Sequence, residues 1–144
     1  MRFTILALPT ALLASTASAH SVNCWGKALN APVEGIEYTI KKMDEIASAP
    51  DQFYPDGNDP KWLWLQANKC EEVTCYKGTQ VRWCNEDTVW DRYIMMQNIV
   101  DGVHVLYSEC ERMVDGELTS GGVLSHPDKW SIIMQGEDEC KGKK

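Results

Sequence analysis

The chain has 144 residues, with 14 basic against 21 acidic side chains and a formal net charge of −7. That length fits one domain with a modest core. The charge repels phosphate backbones and anionic leaflets, so neither nucleic acid nor a membrane is expected as a partner, and the only basic cluster is the terminal "KGKK".

The first 19 residues, "MRFTILALPTALLASTASA", have the build of a secretory signal. Arg2 gives the positive start, an apolar run extends from Ile5 to Ala14, and Ala17 and Ala19 give the small-x-small cleavage pattern. The run is too short to span a bilayer as a helix. Cleavage after Ala19 leaves residues 20–144 as one secreted, extracellular, cysteine-rich domain, with 13 basic and 21 acidic residues, net −8. It also makes His20 the first residue. No membrane insertion is expected, and the expected state is a monomer.

Beyond the cut, "APVEGIEYTIKKMDEIASAP" has apolar residues at helical spacing (Val33, Ile36, Ile40, Met43, Ala47) between Pro32 and Pro50. "PDQFYPDGNDP" reads as a loop. Asp56, Asn58 and Asp59 are hard oxygen donors, but the order of a calcium-binding loop is missing, so a solvated turn is expected. "KWLWLQANK" reads as a strand, and "EEVTCYKGTQVRWC" as a β-hairpin turning at Lys77–Gly78. In the hairpin, Val73 and Cys75 are expected on one face of the first strand, Val81 and Trp83 on one face of the second. "TVWDRYIMM" is ambiguous, and its β-branched and aromatic content favours a strand. A helix is expected from Asn98 onward, capped by Asn98 and Asp101, with Ile99, Val103, Leu106, Cys110 and Val114 on one face. "VDGELTSGGVLSHPD" reads as turns with one short strand near Glu117–Thr119, which puts Ser125 and His126 in a turn. "KWSIIMQ" closes as a strand with Trp130, Ile132 and Met134 on one side. The expected fold is α+β: a mainly antiparallel sheet with two helices on one face, a disulfide-stapled sandwich.

Cys24, Cys70, Cys75, Cys84, Cys110 and Cys140 all lie beyond the leader. An even number in a small secreted chain implies disulfides, with the connectivity open. Their spacing contains no CxxC pair, which argues against zinc.

Three arrangements bear on function. Trp62 and Trp64 share a strand face, as a sugar-stacking platform requires, although rings of this size more often fill a core. An N-terminal His20 can chelate through its amine and its ring, and with His104 or His126 would resemble the histidine brace of secreted copper monooxygenases. The plainer expectation is that His20 is at the terminus only because the cut falls before it, so no cofactor or metal is expected. Ser125, His126 and Asp128 are too close in sequence for a catalytic triad, and no nucleophile elbow is present.

"GTQVRWCNED", "NIVDGVHVLYSEC" and "GGVLSHPDKWSIIMQGEDEC", with the opening "NCWG", run in the order cysteine-bearing strand, helix ending in cysteine, glycine turn, Trp-led strand and terminal cysteine. This order resembles small secreted cysteine-rich fungal effectors of the killer-toxin-like and LARS-type sandwich architecture. The resemblance implies a secreted, virulence-related effector or toxin that binds a host or competitor target, a protein or cell surface, without catalysis. It carries over no functional residue. The expected contact loops are Asp51–Pro60, with Asp56, Asn58 and Asp59, and Glu117–Asp128, with Ser125 and His126.

Overall fold

The computed structural model describes residues 20–24 and 30–142. The leader, the "WG" of "NCWG" and the last two lysines lie outside the described residues. In chain order the elements are β1 (Ser21–Asn23), β2 (Ala31–Pro32), α1 (Val33–Ala47), β3 (Trp62–Leu65), β4 (Lys69–Tyr76), β5 (Thr79–Asn85), β6 (Arg92–Met95), α2 (Met96–Glu109), β7 (Arg112–Val114), β8 (Glu117–Ser120), β9 (Gly122–His126) and β10 (Trp130–Gly136).

The β4–β5 hairpin forms where its turn chemistry says it must. Lys77 and Gly78 both adopt positive φ, 46° and 81°, the pair of left-handed residues that matches the twist of the flanking strands. The hairpin extends into a five-stranded antiparallel sheet, ordered β1-β9-β10-β5-β4. Val81, Trp83, Ile132, Met134 and Leu124 cover one face of it and are buried. A register shift between Glu72 and Thr74 interrupts β4, and Thr74 and Cys75 are consequently both buried while Val73 is half-buried. The expected sharing of a face by Val73 and Cys75 ignores this bulge.

Both helices lie on the covered face, which makes the molecule an α+β sandwich. α1 buries Ile36, Ile40 and Met43, and α2 buries Ile99, Val100, Val103 and Leu106. Each such side chain contributes about 1.5–3 kcal/mol when taken from water. Glycine costs helix propensity, yet both helices carry one, for the same steric reason. A Cβ on Gly35 would sit 2.3 Å from Thr79 Oγ1, and one on Gly102 2.3 Å from Ile132 Cδ1. These glycines let the helices approach the sheet.

Four boundaries differ from the sequence expectation. α2 begins at Met96, not after Asn98, and Met95 in extended backbone precedes it without a side-chain cap. Asp101 instead accepts Gln97 Nε2 at 2.9 Å. α2 ends at Glu109, so Val114 belongs to β7. The stretch expected to be turn-rich holds two strands, β8 and β9. Ser125 and His126 are therefore strand residues, held by pairing with β1 and β10. "TVWDRYIMM" is a strand only over Arg92–Met95.

Smaller pairings complete the fold: β2-β8-β7 and the ribbon β3-β6. All six cysteines are paired, as Cys24–Cys110, Cys70–Cys84 and Cys75–Cys140. Cys70 and Cys84 are directly opposed on the hairpin. Cys24–Cys110 ties β1 to the end of α2, and Cys75–Cys140 ties the C-terminal segment to β4. Among the described residues no helix is long and apolar enough to cross a membrane.

Candidate functional site

The ribbon β3-β6 carries the most conspicuous surface. Its register sets Trp62 opposite Met95, Leu63 opposite Ile94, Trp64 opposite Tyr93 and Leu65 opposite Arg92. Because side chains alternate along a strand, Leu63, Leu65 and Ile94 turn inward onto the core. Trp62, Trp64, Tyr93 and Met95 turn outward and remain 48%, 45%, 66% and 41% exposed. The inward leucines settle which side of "WLWL" is covered. Trp62 and Trp64 are not the core residues that ordinary burial tendencies favour.

Two rings two residues apart on one strand lie about 7 Å apart along it. Tyr93, the cross-strand partner of Trp64, brings a third ring within side-chain reach. Large exposed apolar groups that adjoin one another mark an interaction surface. The expected contact loop lies against this one. Asn58, Asp59, Pro60, Trp62, Trp64 and Tyr93 line a common groove.

The loop is held in shape by its own polar groups. Asn58 donates its backbone N–H to Asp56 Oδ1 at 3.1 Å and its Nδ2 to Asp56 Oδ2 at 3.2 Å. The backbone N–H of Asn58, seconded by its side-chain amide, lowers the Asp56 pKa. Asp59 Oδ1 accepts the Lys61 N–H at 2.9 Å. Lys61 Nζ pairs with Asp51 and lowers that carboxyl's pKa too. Asp56 and Asn58 are exposed and Asp59 half-buried, which leaves an amide and carboxylates beside the rings.

A buried polar cluster fixes the ribbon to the sheet. Asn85 Nδ2 donates toward the carbonyls of Leu65, Gln66 and Trp90 at 3.3, 3.2 and 2.8 Å. Its Oδ1 accepts the Asp87 N–H at 3.2 Å. Asp87 Oδ1 accepts the N–H groups of Val89 and Trp90 at 2.9 and 3.1 Å, and Lys129 Nζ lies 3.5 Å from Oδ2. Those two backbone donors first, and Lys129 after them, hold the Asp87 pKa below its ordinary value. Sequence reasoning missed Asn85 and Asp87. The one available signal was "CNED" after a strand, a cluster of residues that bind neighbouring backbone.

The second expected loop lies elsewhere. His126 ends β9 and lines a cavity of about 500 Å³ together with His20, Arg92, Tyr93, Asp101 and Asp128. Ser125 pairs with Ser21 and Ser131 and alternates to the other side of the sheet. His104, the other candidate partner for His20, is exposed on α2 and lines a separate groove with Glu37 and Tyr107. The structure thus brings His20 and His126 to one cavity and sets His104 apart. Among the described residues, the one cluster with metal-like spacing is Glu72, Cys75 and Cys140. Its two cysteines form a disulfide, which removes the thiolates a metal needs.

Comparison with family models, with curated proteins and with solved structures finds no match.

Proposed function

We propose that the chain is a secreted effector-like or toxin-like protein that acts by binding, and that it meets its host or competitor target through the outward face of β3-β6. The observation that carries this reading is the row of exposed rings Trp62, Trp64 and Tyr93 on one face of a ribbon whose other face is core. The signal-like leader and three disulfides support an extracellular setting.

The target chemistry that fits is a neutral saccharide chain on a cell surface. Indole and phenol rings offer flat apolar area to the C–H faces of a sugar, and Asn58 and Asp59 offer hydrogen-bond partners to its hydroxyls. The acidic loop and the net negative charge disfavour an anionic polymer.

The test is retention of the secreted protein on insoluble chitin, β-glucan and cellulose. Trp62→Ala, Trp64→Ala and Tyr93→Ala serve as comparators, with Met113→Ala as a distant exposed control. Retention lost in the three ring variants and kept in the control is the expected result. Retention that ignores all three rings contradicts the assignment of the surface. Ring-dependent binding to cells from which the polysaccharide has been stripped contradicts the saccharide.

A further inference from the structure

His20, which precedes β1, and His126, which ends β9, line one cavity. β1 pairs antiparallel with β9, Ser21 opposite Ser125 and Val22 opposite Leu124. Continued one residue beyond β1, this register would set His20 opposite His126, and His126 is itself opposite Trp130 on β10. By alternation these three lie on the face that holds Leu124 and Ile132, and all three line the same cavity. Residues opposed in an antiparallel pair have Cβ atoms about 4.5–5.5 Å apart. Two imidazoles at that separation can both reach one ion with nitrogen–metal bonds of about 2.0–2.1 Å.

His126 is held in place from two directions. Its ring stacks on Trp130 with centroids 4.6 Å apart and planes 14° apart. Its Nδ1 accepts the Asp128 N–H at 3.2 Å and lies 3.4 Å from Asp128 Oδ2. A ligand at Nε2 requires the ring proton on Nδ1, where Asp128 Oδ2, 3.4 Å away, accepts it in place of the contact with the backbone N–H. A carboxylate paired in this way with the other ring nitrogen orients metal-binding imidazoles. Arg92 brings a cation to the cavity, but its Nη2 donates to the Asp128 carbonyl, and Asp101 and Asp128 contribute negative charge to the same walls.

We infer that this pair is a binding site for a late first-row divalent metal, with Cu²⁺ the strongest ligand by the ordinary order of affinity for nitrogen donors. Among the described residues no group of three metal-ligating side chains at metal-like spacing includes His20 or His126. The third donor is the α-amine of His20, which cleavage after Ala19 frees and which forms a chelate ring with that residue's own imidazole. The site shares Tyr93 with the edge of the binding face, but its donors lie off that face and do not depend on it.

The experiment is a Cu²⁺ titration of the secreted protein, its first residue read by mass spectrometry, monitored by Trp fluorescence and by nitrogen hyperfine structure in the electron paramagnetic resonance spectrum. The expected result is one Cu²⁺ per chain, with at least three nitrogens and quenching of Trp130. His126→Gln is expected to weaken binding by more than the ~10–100-fold that loss of an outer-shell partner costs. One alanine inserted before His20 has a comparable effect. Asp128→Asn, which keeps the fold and both imidazoles, is expected to cause a smaller loss. Affinity unchanged in His126→Gln would show binding by the chain terminus alone and overturn the site. So would a first residue other than His20, or capture of inorganic phosphate in place of Cu²⁺.

Discussion

Trp64 and Tyr93 stand directly opposite each other on β3-β6, both open to solvent, while the residues flanking them in sequence, Leu63, Leu65 and Ile94, are turned to the core. The ribbon therefore separates two tasks by alternation. Its inner face anchors it, and its outer face is available for recognition. Trp64→Ala is expected to change stability by less than about 1 kcal/mol, the scale of an exposed strand substitution. Trp83→Ala, at a site 1% exposed, is expected to cost about 3–5 kcal/mol. Urea unfolding of the two variants checks the contrast. A large loss at Trp64 would mean that its ring supports the fold.

Asn85 is expected to matter to the ribbon more than any exposed residue on it. Its carboxamide serves carbonyls on both sides of the ribbon, from Leu65, Gln66 and Trp90, and is itself buried. Removing it leaves buried acceptors without donors, at about 1–3 kcal/mol for each group stranded. Asn85→Ala is expected to lower the denaturation midpoint and to raise amide exchange at Trp90 and Gln66 before the rest of the sheet. Exchange unchanged at those amides would remove Asn85 from its anchoring role.

Acid is expected to act on the same cluster. The folded-state pKa of Asp87 is lowered by the N–H groups of Val89 and Trp90. The folded chain thus holds fewer protons there than the unfolded chain does. Its contribution is fully present above the unfolded carboxyl value of about 3.9 and fades as pH falls through the lower folded value. Asp51 and Asp56 shift in the same direction, through Lys61 and Asn58 respectively. Melting temperature is expected to fall below about pH 4, and to fall less steeply in Asp87→Asn. Identical slopes for the two proteins would show that Asp87 has no such role.

Reduction tests the stapling. Removing Cys75–Cys140, which spans 65 residues, by paired serine substitution is expected to cost about 2–5 kcal/mol. The loss is read as a shift in denaturation midpoint. An unchanged midpoint would contradict the bridge's contribution.

The sequence discloses the elements that are governed locally. The β4–β5 hairpin is written in "KG" between alternating strands, and α1 in its apolar spacing. What it hides depends on distant partners. Ser125 and His126 sit between "GG" and "HPD", which read as turns, and become strand only because β1 and β10 lie on either side of them. Alternation in "WLWL" says that the tryptophans share a face. Only the pairing with β6 and the anchor at Asn85 say which face is covered. The disulfide pairing depends on the hairpin register and on where α2 ends. His20 and His126 are 106 residues apart in the chain, and the pairing of β1 with β9 brings both to one cavity.

The proposed target-binding surface is the outer face of β3-β6. The most direct measurement tracks the indole N–H resonances of the tryptophans while soluble chito- and gluco-oligosaccharides are added. The signals of Trp62 and Trp64 are expected to move together and saturably, while those of buried Trp83 and of Trp130 beside His126 hold still. Signals of Trp62 and Trp64 that stay fixed while Trp130 moves would contradict this assignment and would place recognition at the histidine cavity instead.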